Sequence, residues 1–185
     1  MSDIWKRRGQ DLARHLADLQ SRSYESAQSR EDRETVFRTA FELTTPVAIE
    51  VLENVNRDYL GGAGLPAALG PDPDGAGGLI GVWRLTWPDL TSALDRVHGR
   101  PIAPVEINAV FPNGWTHGHL ALFTSQDPRV IVASWPFQVT SKEDAARQEP
   151  ILWAITEAEL HERVLRAGGG VLGNFAERFT TRRAE

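Results

Sequence analysis

The chain has 185 residues, a net charge of −5, 41% hydrophobic and 24% charged residues, and no cysteine. That composition suits one globular domain with a sizeable core. It excludes disulfides, iron–sulfur clusters, thiolate zinc sites and cysteine nucleophiles, and its acidic balance argues against a general nucleic-acid binder, which needs a basic face for phosphates.

No apolar run approaches the length that spans a bilayer. The opening Met1 to Arg8 leads into a polar helix without a signal-peptide core. The expected location is the cytoplasm, with no membrane partner. The first helix is predicted over residues 3 to about 28. Trp5, Leu12, Leu16 and Leu19 recur there at helical spacing as a thin stripe, and Ile4 lies beside it. A thin stripe means one contact surface, so a protein partner or self-association through the N-terminal helices is expected.

Ser29 to Asp32 has capping-box spacing and predicts a second helix from near Arg30. Its apolar face runs from Val36 and Phe37 to Val55 and Tyr59. Pro46 interrupts it, which predicts either two stacked helices or one kinked helix with Pro46 opening the second piece. Residues 61–78 are rich in glycine and proline and read as a loop or tether. The fragment Gly62 to Ala67 matches a relaxed dinucleotide fingerprint but follows a helix, so that reading is rejected.

Leu79 to Trp87 alternates as a strand. Pro88 then opens a short helix with Leu90, Ala93, Leu94 and Val97 on one face and Gly99 as its stop. Three consecutive antiparallel strands are predicted from Pro104 to Val139. Asn113-Gly114 reads as a two-residue type I′ turn, which would pair Val110 with His117, Asn108 with His119 and Glu106 with Ala121. Ser141 and Asp144 cap a helical turn. Ile151 to Ile155 reads as a buried strand, and Thr156 to Glu159 as a capping box that opens a helix through about Ala167. The tail after Val171 carries Phe175 and Phe179 and is expected to dock.

These elements predict an α+β fold, with N-terminal helices packed on a mainly antiparallel sheet of four to five strands and a capped C-terminal helix. The organisation reads as a helical region over 1–60, the loop over 61–78, a sheet region over 79–170 and a tail over 171–185, one domain overall. The element order resembles that of the NTF2-like cone, whose sheet curls around a pocket. The resemblance lies in order alone.

Alternation along the hairpin puts Glu106, Asn108, His117 and His119 on one sheet face. Two imidazoles at i and i+2 can ligate one metal, with Glu106 as third ligand and Asn108 behind them. Such a set suits iron, manganese or zinc. It is not the cupin pattern, because Phe123 stands four residues after His119. Either histidine could instead serve as a general acid or base. Trp83, Trp87, Trp115, Trp135 and Trp153 could wall a pocket but read first as core. His15, His98 and His161 are isolated on predicted helices and read as surface residues. Ser134 is not in a nucleophile elbow. No cofactor is expected beyond a divalent metal. The reading that follows is a non-enzymatic accessory or interaction protein, a small subunit of a larger assembly. The alternative is an enzyme or a small-molecule or metal-binding protein with its site around Glu106, Asn108, His117 and His119.

Overall fold

The computed structural model describes residues 2–24, 26–123 and 130–167. The fold is α+β. Helices α1 (Ser2–Ser21) and α2 (Arg30–Leu60) precede strands β1 (Leu65–Pro73) and β2 (Leu79–Thr86). The short α3 (Pro88–Thr91) leads to β3 (Val105–Phe111), β4 (His119–Phe123) and β5 (Ile131–Pro136). Helices α4 (Lys142–Arg147) and α5 (Glu149–Ala167) follow. The five strands form one antiparallel sheet in the order β1-β2-β3-β4-β5. No helix among the described residues is long and apolar enough to cross a membrane.

Several local expectations are corrected. Residues 65–73 are a strand rather than loop. β1 is mostly exposed and lies at the sheet edge, where proline costs no ladder bond if its nitrogen faces outward. Helix α1 stops at Ser21, since Arg22 adopts a left-handed φ of 52°. Helix α2 is one element that runs through Pro46. Helix α3 ends at Thr91, leaving Leu94 and Val97 exposed. Residues 151–155 belong to α5, and Thr156 is in mid-helix, its hydroxyl donating to the Leu152 carbonyl at 2.8 Å. A short apolar run fits a buried strand and one turn of a buried helix equally well. Pro150, within the first turn of α5, favours the helix. The caps at Ser29 and Ser141 form as expected. Their hydroxyls accept from the amides of Asp32 at 3.0 Å and Asp144 at 3.1 Å. The tail with Phe175 and Phe179 lies outside the described residues.

Packing divides the chain into two compact units. One comprises residues 1–46, 69–82 and 108–148. Its core contains Tyr24, Phe37, Phe41, Phe111, Leu120 and Phe137, all buried. The Phe37 ring stacks on Phe111 at 5.7 Å and meets Phe137 edge-on at 6.0 Å. Arg30 lies 4.1 Å above the Phe111 ring and donates to the carbonyls of Gly77 and Pro112.

The other unit comprises residues 47–68, 83–107 and 149–185. Trp83, Leu85, Ile107, Leu52, Leu152 and Ile155 are buried there. Arg163 is also buried. It donates to the carbonyls of Ala103 and Pro104, at 2.9 and 3.1 Å, and pairs with Glu159 at 2.5 Å. A buried cation is tolerable only with such full satisfaction.

Candidate functional site

The β3–β4 connection is longer than the Asn-Gly signal implies. A type I′ turn needs positive φ at both central residues. Gly114 has φ 81°, but Asn113 is not among the positive-φ residues. The turn is closed by the Trp115 amide donating to the Pro112 carbonyl at 3.1 Å. The chain then runs irregularly to Gly118 before β4 begins. Val110 consequently faces His119, and Asn108 faces Ala121. The register has slipped by two residues relative to the two-residue hairpin. A slip of two preserves the face, where a slip of one would invert it. Asn108 and His119 therefore share a sheet face, but they are not partners.

The four polar residues of the predicted face have different fates. Asn108 is buried within β3. Glu106, in the other unit, is bound to Arg84, whose guanidinium lies 2.7 Å from its carboxylate. His117 and His119 do come together, and what joins them is His15 of α1. The expectation that His15 is a surface residue is wrong. Only 9% of it is exposed, against 1% of His117. The His15 ring stands edge-on to His117 at 4.4 Å and to His119 at 5.2 Å between centroids. The Trp115 ring meets His119 edge-on at 4.8 Å, and Tyr24 meets His117 at 5.2 Å.

The polar surroundings of this cluster come largely from α1. Asp18 Oδ2 lies 3.6 Å from His117 Nε2 and also accepts from the Gln138 amide. Arg14 donates to the Gln138 carbonyl at 2.6 Å. Thr116 Oγ1 and His117 Nδ1 are hydrogen-bonded at 2.7 Å. Among the described residues, Nδ1 of His15 and Nδ1 of His119 have no hydrogen-bond partner, and Nε2 of His117 has only the 3.6 Å approach of Asp18. Together with Leu19, Gly114, Trp115 and Thr116, these imidazoles line an open cavity of about 430 Å³. That volume falls in the range of small-ligand sites.

Burial, followed by the charge of His15, lowers both His117 and His119 to about 4. Burial also lowers His15, with Asp18 pulling in the opposite direction. All three imidazoles are thus neutral near pH 7. They can accept hydrogen bonds or offer lone pairs, but they do not supply positive charge for an anion. Among the described residues, no group of three or more His, Cys, Asp or Glu side chains is placed to hold a metal ion. Of the tryptophans, Trp83 and Trp87 are core residues of the other unit, and Trp153 lies on α5 rather than on a strand.

The second feature of this unit is the orientation of α1. Arg14, His15 and Asp18 make its inward contacts. Leu12, Leu16 and Leu19 are 52%, 49% and 43% exposed. The helix is packed by its polar face and presents its leucines to the outside. Trp115, 39% exposed, shares the cavity with Leu19, so the apolar surface continues from the helix to the rim of the histidine pocket.

No known family matches this chain. Neither the curated proteins nor the solved structures contain a match to it.

Proposed function

We propose that this chain is a cytoplasmic, non-enzymatic accessory protein that docks a helix of a partner protein on the outward face of α1. One observation carries the reading: the leucines of an amphipathic helix face outward while its charged and imidazole side chains face the body of the unit. A helix that needed only to pack on its own unit would bury the leucines instead. The spacing of positions 5, 9, 12, 16 and 19 alternates steps of four and three, which is the seam of a helix that pairs with another helix. Gly9 falls on that seam, and a Cβ added there meets nothing within 4 Å. The surface is apolar and helical, which favours a protein over a nucleic acid as partner.

The test is a photo-crosslinking amino acid placed at position 16 in cells. A single discrete adduct, lost when Leu12 and Leu19 are changed to glutamine, supports docking at this face. A smear of products indifferent to those substitutions removes the reading. Sedimentation of the purified chain separates a foreign partner from a second copy.

A second reading is a small-molecule site in the histidine-lined cavity. It rests on the volume and on the neutral imidazoles that line it. A ligand-observed NMR screen of small polar aromatic fragments against wild-type and His119→Ala protein tests it. Binding that disappears in the variant supports the reading, and no binding by the wild type ends it. Glu106 is no part of this set, being held by Arg84.

A further inference from the structure

The inward contacts of α1 among the described side chains are polar, and several pass through imidazoles. His15 reaches His117 and His119, Asp18 reaches His117 and Gln138, and Arg14 reaches the Gln138 carbonyl. Leu12, Leu16 and Leu19 are only about half covered. Attachment of this part of the helix therefore depends strongly on the imidazole contacts.

We propose that His15, His117 and His119 form an acid-sensitive latch, which holds α1 against its unit at neutral pH and releases it when the cluster takes up protons. The inference deepens the docking reading, since it regulates the same surface. It concerns the isolated chain, however, and can fail or succeed without any partner.

The geometry gives the latch its direction. The rings lie 4.4 and 5.2 Å apart between centroids, so two imidazolium ions would face each other within a closely packed cluster. The groups around them divide. On α1, Asp18 favours a charged imidazole, and Arg14 is a fixed cation beside the same Gln138. Arg33 of α2 disfavours a proton on His117. Thr116 of the β3–β4 loop and the Tyr24 ring, between α1 and α2, add no charge. One carboxylate can balance one proton. A second proton on the cluster meets two cations, Arg14 and Arg33, and no further anion among these groups.

The sign follows from the lowered histidines. Groups whose attached-state values sit below the ordinary 6.5 stabilise attachment fully above 6.5. That stabilisation is lost progressively as pH falls from 6.5 toward about 4. The released helix takes the protons at the ordinary value, so acidification favours release.

The experiment is amide hydrogen exchange of the full chain at pH 7.5 and pH 5.0, corrected for intrinsic exchange. The latch predicts that α1 loses at least tenfold in protection between the two while α2 and β3 keep theirs. In His15→Asn, which keeps a polar side chain without the titration, the drop should shrink to under threefold. Should that variant already expose α1 at pH 7.5, the wild-type protein still decides. The ring protons of His117 and His119 must then titrate over the pH range in which α1 loses protection. Unchanged α1 protection at pH 5.0 overturns the proposal. So does simultaneous loss in α1, α2 and β3, which would make the cluster a contributor to global stability. Ring titration in a different range from the α1 transition overturns it as well.

Discussion

Changing Leu12 and Leu16 together to glutamine separates a docking helix from a packed one. Full burial of a leucine stabilises by about 1.5–3 kcal/mol. Roughly half of each of these leucines is exposed, at 52% and 49%. A partner that covers the remainder gains about 1 kcal/mol from each, or about 2 kcal/mol for the pair. At about 1.4 kcal/mol per decade, that is roughly a thirty-fold change in dissociation constant. Glutamine has nearly the helix propensity of leucine, so the helix itself should persist. The change in folding stability should stay within about 2 kcal/mol, since only the covered halves of the two side chains are lost from the folded chain.

The assay has two arms. Urea unfolding of the purified double variant reads stability, and sedimentation or titration with the cross-linked partner reads association. Expected are a stability loss of no more than about 2 kcal/mol and association weakened about thirty-fold. A stability loss of about 4 kcal/mol or more would mean that these leucines pack in a core. Unchanged association would mean that the stripe is not the docking face. Either result refutes the argument from exposure.

Three further outcomes test the surrounding structure. An added Cβ at Gly118 would stand 2.6 Å from Phe37 Cδ2 and 3.0 Å from Cε2, so Gly118→Ala should lower stability by about 1–3 kcal/mol in urea melts; a neutral result would show that the Phe37 ring can move aside. Ser29→Ala removes the acceptor of the Asp32 amide and should cost about 1 kcal/mol, whereas no cost would mean that the α2 start is capped by water equally well. Glu159 is pushed up to about 7, chiefly by burial and against the pull of Arg163. A carboxyl raised in the folded state contributes stability below its ordinary value of 4.5 that is lost as pH rises through 7. Glu159→Gln should therefore flatten the decline in unfolding free energy between pH 5 and pH 8, and an unaltered slope would assign that decline to other groups.

The fold class and the strand run from β2 to β5 were legible because each strand alternates and each connection carries glycine, proline or a capping serine. Leu79, Trp83 and Leu85 fall on the buried face of β2 as their spacing requires. What misled was composition standing in for position. The prolines around Gly70 suggested a loop, yet an edge strand can hold them. The apolar run from Ile151 suggested a strand because five residues are too few to separate a period of 2 from one of 3.6. Over the whole of α5 the buried positions Leu152, Ile155, Thr156, Glu159, Leu160 and Arg163 fall at helical spacing. Two of those six are ionisable and one is a threonine, so hydrophobicity alone could not trace the inward face.

The candidate site shows the same limit more sharply. Alternation fits His119, whose predicted face a register slip of two preserves, but His117 lies in the loop before β4 and reaches the cluster outside any strand. Alternation could not find His15, because the rule that apolar residues face inward points the other way on α1. The signal lay in a mismatch. Arg14, His15 and Asp18 occupy one face at spacings of one, three and four, flanking a stripe of three leucines. Read by itself, that pattern describes a solvated polar face. It acquires its other meaning only when the third strand-loop segment supplies imidazoles for it to meet, some hundred residues away. A helix bound through ionisable groups, with its apolar face left open, is poorly suited to building a core. It is well suited to attachment that responds to protons and to a surface that another helix can cover. Both proposals rest on the one inversion, which is why the pH dependence of α1 and the exposure of its leucines should be measured on the same protein.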